Sequence, residues 1–419
     1  MTPRRNLLLG LAAGGLAAGH AARALAQHGP GQLPGMGPQP DLPAPNTAHR
    51  VVNRSHGGGW PAGRRPQAPR GFTVTAFGTD LDNPRMILPL PDGRVLVSEA
   101  PRANRVTLLH APDRAGQAGG RTVLLEGLNR PFGMAVLGDS LFVADTDALL
   151  HFPWNDGRGK ITAPGRKLLD LPAGGYNNHW TRNLLPARDG RSLFVSVGSG
   201  SNVAEHGLEN ERRRACILQV DLDGSNERLF AGGLRNPVGM AWEPGSGELW
   251  TVVNERDNIG DDLVPDYLTH VRQGGFYGWP FSYFGTHIDP RMREKMGSRE
   301  RELVARAIVP DYALGPHTAS LGLDFSTGGA FPAEWRGGAF IGQRGSWNRT
   351  AFAGYRVLYL PFANGRPSGP ARDFLTGFMA DPETGQVYGR PVGVAMDAAG
   401  ALLVADDSGN TVWRVTATG

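Results

Sequence analysis

The sequence predicts an all-β fold, a six-bladed β-propeller of four-stranded blades. A unit of turn and strand recurs six times along the chain, and the first two copies begin at Pro84 and Pro131, a spacing close to the ~40–50 residues of one blade. The composition agrees, because 60 glycines and 33 prolines against 20% charged residues are typical of a protein with many tight turns. Helical bundles rarely have this composition.

Each copy has the same internal order. A turn, often Asn-Pro or Arg-Pro, precedes a short apolar strand, and a Gly-containing turn then leads to a second strand that ends near a polar residue. The predicted second strands are 95–99, 141–145, 193–196, 249–252, 339–342 and 402–406. Inner strands of a propeller bring their ends to the central channel, so we expect the functional side chains at these ends.

The first 26 residues are predicted to be a signal peptide. Arg4 and Arg5 precede an apolar stretch over 7–18, and Ala24-Leu25-Ala26 supplies small residues for cleavage. The arginine pair resembles a twin-arginine signal. No later stretch is apolar and long enough to span a membrane, so we expect an exported, periplasmic protein without a transmembrane segment in its mature part.

Three further segments are expected after the signal peptide. Residues 27–70 are rich in Pro and Gly and lack apolar periodicity, which predicts a disordered arm. Residues 71–419 are expected to form the propeller. A long gap between the fourth and fifth copies predicts an insertion around 257–317, and long loops on one face of a propeller commonly build a binding site.

Charge and cysteine content exclude several classes of function. The formal charge is only +4 and the arginines are dispersed, so the sequence shows no nucleic-acid footprint. Cys216 is the single cysteine, which excludes an intrachain disulfide, a thiolate-bound iron–sulfur cluster and a Cys-x-x-Cys-His haem site. The chain also lacks Walker, Gly-x-Ser-x-Gly and His-Glu-x-x-His motifs.

Four clusters at predicted strand ends could carry chemistry. His179 lies among amide and aromatic residues and could be a general base, although a structural histidine is the more common case. Arg235 and Asn236 open the fourth copy. Residues 254–262 hold four acids and could present oxygens to Ca²⁺ or form a polar turn. The fourth cluster contains the arginines Arg344, Arg349 and Arg390.

These clusters together resemble the soluble quinoprotein glucose/sorbosone dehydrogenases, which are six-bladed propellers that bind pyrroloquinoline quinone (PQQ) with Ca²⁺. The resemblance rests on Asn178-His179-Trp180, on Leu234-Arg235-Asn236-Pro237, on the acidic segment 254–262 and on 274–280, and it extends over most of the chain from Gly71. The sorbosone-dehydrogenase-like branch is the most similar.

The resemblance implies a role for each candidate. His179 would be the catalytic base, taking a hydroxyl proton from a sugar or sugar-derived aldehyde while hydride passes to the quinone. Arg235 would stabilise charge at the quinone oxygens. Cofactor contacts would come from Asn129, Arg235, Asn236, Arg344, Arg349 and Arg390. The backbone carbonyls of Arg256 and Asp257 would hold Ca²⁺, and an external quinone or cytochrome would accept the electrons.

Two other functions stay open from the sequence. A metal-dependent lactonase also places carboxylates and amides around a Ca²⁺ ion in a propeller channel, but it needs no group of arginines. A propeller that binds a glycan or a protein without catalysis is the second alternative, because this architecture hosts many functions.

Overall fold

A computed structural model describes residues 35–418, so the predicted signal peptide and the start of the arm lie outside the described residues. The described chain forms many antiparallel sheets and little helix, and the all-β prediction is confirmed. It contains the α-helix Ser298–Ala305 and the 3-10 helices Leu208–Glu211, Arg293–Lys295 and Ala333–Trp335. Between residues 35 and 418 there is no helix of the length and apolar character needed to cross a membrane.

Six sheets, named I to VI, each contain four antiparallel strands. The strands of each sheet are given from the inner to the outer one. Sheet I comprises Pro84–Pro89, Val95–Glu99, Arg105–Leu109 and Arg121–Leu125. Sheet II comprises Met134–Leu137, Ser140–Ala144, Ala148–Pro153 and Arg166–Asp170. Sheet III comprises Arg182–Pro186, Ser192–Val197, Cys216–Asp221 and Arg228–Gly232.

Sheet IV comprises Pro237–Trp242, Leu249–Val253, Pro265–His270 and Tyr312–Pro316. Sheet V comprises Ser320–Phe325, Ala339–Gln343, Arg356–Leu360 and Arg372–Leu375. Sheet VI comprises Pro391–Met396, Leu402–Asp406, Thr411–Ala417 and Phe72–Gly78. Its outer strand comes from the start of the folded part and pairs with the last strand of the chain, so sheet VI ties the two ends together.

Apolar clusters lie between every two successive sheets. Examples are Leu96 with Leu141 between sheets I and II, and Ile87 with Leu403 between sheets I and VI. The remaining clusters join II to III, III to IV, IV to V and V to VI. Strands with apolar side chains on both faces need a partner on each side, and the order of packing satisfies this for all six sheets.

Residues at the starts of the six inner strands also meet in one cluster. Its members, one from each repeat in chain order, are Met86, Phe132, Trp180, Val238, Leu321 and Val392. The inner strands approach closely at this cluster: a Cβ on Gly239 would lie 2.6 Å from the backbone nitrogen of Leu323. Glycine in the repeated unit is therefore required by the contact between neighbouring inner strands.

The predicted insertion at 257–317 needs correction at both ends. Pro265–His270 and Tyr312–Pro316 fall inside that range but are strands of sheet IV, so the inserted chain is 271–311. The strand 265–270 carries polar residues at buried positions, which hides its apolar pattern. Within the insertion Gly275–Phe276 extends sheet III, and Ser282–Tyr283 pairs with His287–Ile288.

The arm is extended as expected, but residues 35–70 are bound to the sheets rather than free. Met36–Gly37 adds a strand to sheet IV. His56–Gly57 pairs with Gln386–Val387, which also pairs with Met379–Asp381. The indole of Trp60 packs on Trp413 with ring centroids 5.1 Å apart. A Pro- and Gly-rich composition shows only that the segment cannot form a core of its own. Hydrogen bonds from its backbone to the sheets offset the entropy lost when it becomes ordered. One further hairpin joins Phe362–Ala363 to Arg366–Pro367.

Candidate active site

A cavity of about 500 Å³ opens where the inner strands begin. Trp180 and Leu321, from the apolar cluster at the starts of the inner strands, contribute to its wall, so one part of the cavity is apolar. The polar part is lined by His179, Arg235, Asn236, Asp257, Arg344 and further residues. The structure thus brings together side chains from sheets III, IV and V that are far apart in sequence. A cavity of this size suits a small organic molecule.

His179 is held in one tautomer by the chain after the second strand of sheet III. Its Nδ1 lies 3.0 Å from the carbonyl oxygen of Ser199 and 2.9 Å from the hydroxyl of the same residue. That hydroxyl donates to the carbonyl of Ser201 over 2.6 Å, so Nδ1 must carry the hydrogen and donate to Ser199. The lone pair is then on Nε2, as a base requires.

The pKa of His179 is lowered to about 3 by burial and by the neighbouring charge of Arg235. The imidazole is therefore neutral at pH 7, when its Nε2 can accept a proton. An anion bound in the cavity would offset the charge of Arg235 and raise this pKa, which would make His179 a stronger base.

Arg235 is buried and gives all of its N–H groups to oxygen atoms of the chain. Its Nη1 donates to the carbonyls of Asn254 and Glu255, at 3.2 and 2.6 Å. Its Nη2 donates to Asn202 Oδ1 and Asp257 Oδ2, at 2.8 and 3.1 Å, and Nε donates to the Asn202 carbonyl. Arg235 therefore acts on a ligand through its charge, because no N–H remains free in this arrangement.

Asp257 joins Arg235 to His317. Burial alone would raise the pKa of Asp257, but His317 and Arg235 lower it, so its carboxylate is ionised. The Nδ1 of His317 lies 3.4 Å from Asp257 Oδ1, and the carboxylate raises the pKa of this buried histidine against the effect of burial. His317 and Arg235 together keep the carboxylate of Asp257 charged at the cavity wall.

Arginines of sheets I, V and VI gather around Asp407 on another part of the wall. Arg85 and Arg344 each contact Asp407 Oδ2 at 2.5 Å. Arg390 lies behind them and donates to the carbonyl of Arg344 over 3.2 Å. Burial would raise the pKa of Asp407, but the three arginines lower it to about 2. Three cations around this carboxylate leave a local excess of positive charge.

Several predicted residues do not reach the cavity. Asn129 is exposed, and its backbone N–H binds Asp145 at 2.7 Å. Arg349 pairs instead with Asp262 at 2.6 Å. Arg390 is beside the cavity rather than in its lining, and it contacts the chain of sheet V. The repeated positions place these side chains at strand ends, but the direction of each depends on local ion pairs and turns.

The acidic segment 254–262 forms ion pairs. Glu255 pairs with Arg256 at 2.9 Å, and Arg256 also contacts Asp289 at 3.2 Å. Asp261 pairs with His49 at 2.9 Å, which belongs to the arm. Among residues 35–418 no three His, Cys, Asp or Glu side chains come together in a way that could hold a metal.

Of the two backbone oxygens proposed for Ca²⁺, that of Asp257 is already engaged by other groups. The carbonyl of Asp257 already accepts the Asn202 amide at 3.0 Å and the Arg291 guanidinium at 2.9 Å. A carbonyl oxygen has two lone pairs, so both are engaged. The guanidinium of Arg291 also places positive charge beside the Asp257 carbonyl, whereas Ca²⁺ takes 6–8 oxygen ligands.

Residues missed in the sequence complete the site. Arg85 follows the turn that opens the first copy, and Asp407 follows the second strand of the sixth copy. A search of all strand ends could therefore have found both residues. Ser199 and Asn202 lie just beyond another strand end. Arg54 also lines the cavity, but it comes from the arm, and no local pattern marks it.

Comparison with known proteins agrees with this geometry. Residues 66–268 and 292–418 match the family described as TrAA12-like.

The chain belongs to the TrAA12-like family.

The relatives of this TrAA12-like protein confirm the resemblance to quinoprotein sugar dehydrogenases. A pyrroloquinoline quinone-dependent pyranose dehydrogenase from Coprinopsis cinerea is 24% identical, over 82% of this chain and 54% of the relative. The aldose sugar dehydrogenase YliI from Escherichia coli is 30% identical, over 45% of this chain and 51% of the relative. The matches thus span about half the length of these two curated relatives.

Solved structures show the same fold. The holo form of the PQQ domain of the Coprinopsis cinerea pyranose dehydrogenase superposes with a TM-score of 0.71 at 22% identity, covering 87% of this chain and 100% of that chain. A structure described as the calcium structure of the Trichoderma reesei family AA12 enzyme has a TM-score of 0.70 at 22% identity, with 84% and 97% covered. The propeller architecture is therefore supported by both sequence and structure.

Proposed function

We propose that this protein is a PQQ-dependent dehydrogenase that oxidises an aldose or a sugar-derived aldehyde. The observation that carries the proposal is the pairing, in one cavity, of a histidine in its basic tautomer with arginines in excess over carboxylates. The histidine supplies a proton acceptor, and the arginines fit a cofactor with several carboxylates.

The residues present fit PQQ. It carries three carboxylates, and Arg85 and Arg344 lie at the cavity with more positive charge than Asp407 neutralises. Two buried polar atoms at the wall, the Nε of Arg85 and the Oδ1 of Asn236, have no hydrogen-bond partner within the described chain. A polar ligand in the cavity would supply partners to both groups. Bound PQQ supplies the acceptor for the hydride and electrons of the substrate.

The chain itself handles the proton. The Nε2 of His179 takes the hydroxyl proton of the sugar, while the Ser199 carbonyl and hydroxyl keep the ring in the required tautomer. Arg235 stabilises negative charge in the cavity without donating a hydrogen bond, since its N–H groups are engaged. Trp180 and Leu321 present an apolar surface, which strengthens these electrostatic interactions by excluding water.

Calcium is not assigned a role in this mechanism. The family resemblance implies Ca²⁺ at the carbonyls of Arg256 and Asp257, but the guanidinium of Arg291 and the amide of Asn202 occupy the Asp257 oxygen. We infer that these groups take the place of the ion. PQQ affinity should then change less than about twofold between EGTA and millimolar Ca²⁺, measured by titration of tryptophan fluorescence. A tenfold tighter affinity in Ca²⁺ would reject this inference.

We also propose a closed propeller, a periplasmic location, a candidate substrate and an electron acceptor. The six packed sheets are taken as six four-stranded blades of a closed propeller, with an added edge strand on sheets III and IV. The predicted signal peptide supports a periplasmic location. A sorbosone-like aldehyde is one substrate candidate, and an external quinone or cytochrome is the expected acceptor.

The alternatives fit the site less well. A lactonase propeller needs several oxygen ligands for its metal, whereas the acids of 254–262 are engaged by Arg235, Arg256, His49 and Arg349. A propeller that only binds a glycan has no need for a half-buried histidine with a set tautomer.

The test is reconstitution. Apo protein is incubated with PQQ, and reduction of a dye acceptor is followed with a panel of aldoses and aldehydes. We expect turnover with at least one substrate, and loss of turnover in His179→Gln with PQQ affinity changed less than threefold. If no substrate reduces the dye although PQQ binds, the dehydrogenase proposal fails.

A further inference from the structure

Residues 46–60 of the arm, which we call the strap, cross the face of the molecule beside the cavity. The strap begins on the loop of sheet IV, where the Asn46 N–H binds the Ile259 carbonyl at 2.9 Å. It continues along sheet V, where the Asn53 N–H binds the Trp347 carbonyl at 2.8 Å. It ends at sheet VI, where the indole Nε1 of Trp60 donates to Asp406 Oδ2 over 2.7 Å.

These contacts fix the path of the strap at several points. The Asn348 amide donates to the Val51 carbonyl at 2.5 Å, and the Asn53 side chain donates to the Thr350 carbonyl at 2.8 Å. His49 pairs with Asp261. A segment attached to three sheets in this way presents its side chains at defined positions, because backbone donors and acceptors hold both of its ends.

Arg54 lies between these attachments and lines the cavity. Its guanidinium carbon is 5.1 Å from the centre of the Trp347 ring, another residue of the lining. Arg85 and Arg344 share Asp407, but no carboxylate of residues 35–418 forms an ion pair with Arg54. Its charge also acts on Arg390, so it is on the arginine side of the cavity.

A cation in this position adds to an existing excess of positive charge. Like charges at close range repel, and an anion that enters the cavity removes that repulsion. Because Arg54 contacts Trp347 through the ring face, the N–H groups of its guanidinium stay available for a carboxylate. The match to the family starts at residue 66, so Arg54 comes from a part of the chain outside the matched residues.

We propose that the strap is a clamp for the cofactor, with Arg54 as a binding residue for one of its carboxylates. This inference rests on the proposed function, because it takes PQQ as the anion. The strap closes one side of the cavity, and Arg54 joins Arg85 and Arg344 in neutralising the ligand. The cofactor in turn stabilises the strap on the sheets.

The first test measures PQQ affinity of the full apo protein by fluorescence titration. Arg54→Gln should raise the dissociation constant about three- to tenfold, since the lost contact is a partly solvated charge-assisted hydrogen bond. Arg54→Lys should recover part of the affinity, and the salt dependence of binding should weaken in Arg54→Gln. The control is Arg50→Gln, which removes an exposed strap arginine that does not line the cavity.

The second test is limited trypsin digestion of the wild-type protein. Saturating PQQ should slow cleavage after Arg50 and Arg54, because the bound cofactor holds the strap on the sheets. When Arg54→Gln carries the same fraction of bound PQQ as wild type, its Arg50 should no longer be protected from trypsin. Equal cleavage of the wild-type strap with and without saturating PQQ would contradict the clamp.

The outcomes separate the two proposals. If wild type does not bind PQQ, the proposed function fails and the clamp fails with it. If wild type binds PQQ but Arg54→Gln binds equally well, or Arg50→Gln weakens binding to the same extent, only the clamp is rejected. A raised KM for the sugar with unchanged PQQ affinity would assign Arg54 to the substrate and also reject it.

Discussion

Replacement of Asp407 by asparagine tests the charge balance of the site most directly. The carboxylate is fully buried and contacts Arg85 and Arg344 at 2.5 Å. Its pKa falls from 3.8 to about 2, which corresponds to roughly 2 kcal/mol of favourable interaction at pH 7. Removing the carboxylate also leaves the buried Arg85 uncompensated, and such changes cost about 3–5 kcal/mol in total.

The assay is thermal unfolding of the apo protein. The unfolding entropy of a domain of this size is roughly 0.8 kcal/mol/K, so Asp407→Asn should lower Tm by about 4–6 °C at pH 7. A carboxylate with a lowered pKa contributes stability above pH 3.8 and loses it as the pH falls toward 2. The difference from wild type should therefore stay constant between pH 7 and about 5 and shrink below pH 3.8.

The control is Asp262→Asn, because Asp262 also pairs with an arginine but is 40% exposed. That variant should change Tm by less than about 1 °C. A polycarboxylate ligand should raise the Tm of Asp407→Asn more than that of wild type, since it replaces the missing negative charge. The reasoning is refuted if Asp407→Asn melts within 1 °C of wild type, or if the ligand stabilises it less.

The remaining predictions concern the pKa and tautomer of His179, the contact between inner strands at Gly239, and the burial of Cys216. By NMR of the apo protein, His179 should titrate below pH 5, and a midpoint near 6.5 would contradict the effect of burial and Arg235. Ser199→Ala removes one of the two acceptors of His179 Nδ1 and should lower kcat by at most about tenfold with little change in PQQ affinity, because the Ser199 carbonyl still holds the tautomer; complete loss of turnover would show that the hydroxyl alone sets it. Gly239→Ala should destabilise the fold by more than about 2 kcal/mol in urea unfolding, because its Cβ would meet backbone at 2.6 Å, whereas Gly174→Ala, with open space around it, should change little. Cys216 is buried and its pKa is raised to about 12, so a thiol reagent at pH 8 should label it only in denaturant.

Local sequence determines the six pairs of inner strands. All six predicted second strands are strands in the structure, because alternation of apolar residues and the turn preferences of Gly and Pro act within a few residues. The histidine and the first arginine of the site follow from a related regularity. His179 and Arg235 stand where a strand begins, and the repeat shows that such positions meet at one place.

Only the tertiary structure decides which charged groups are free. Asp257, Asp261 and Asp262 are consecutive or nearly so in sequence, yet each pairs with a residue from a different segment. The same long-range packing places Arg54 at the cavity without a carboxylate partner among the described residues. A charge is neutralised by whatever lies within a few ångströms, and for most of these residues that neighbour is tens to hundreds of positions away in the chain. The sequence by itself therefore determined the repeated architecture and the kind of chemistry, while folding decided which arginines and acids remain available to a ligand.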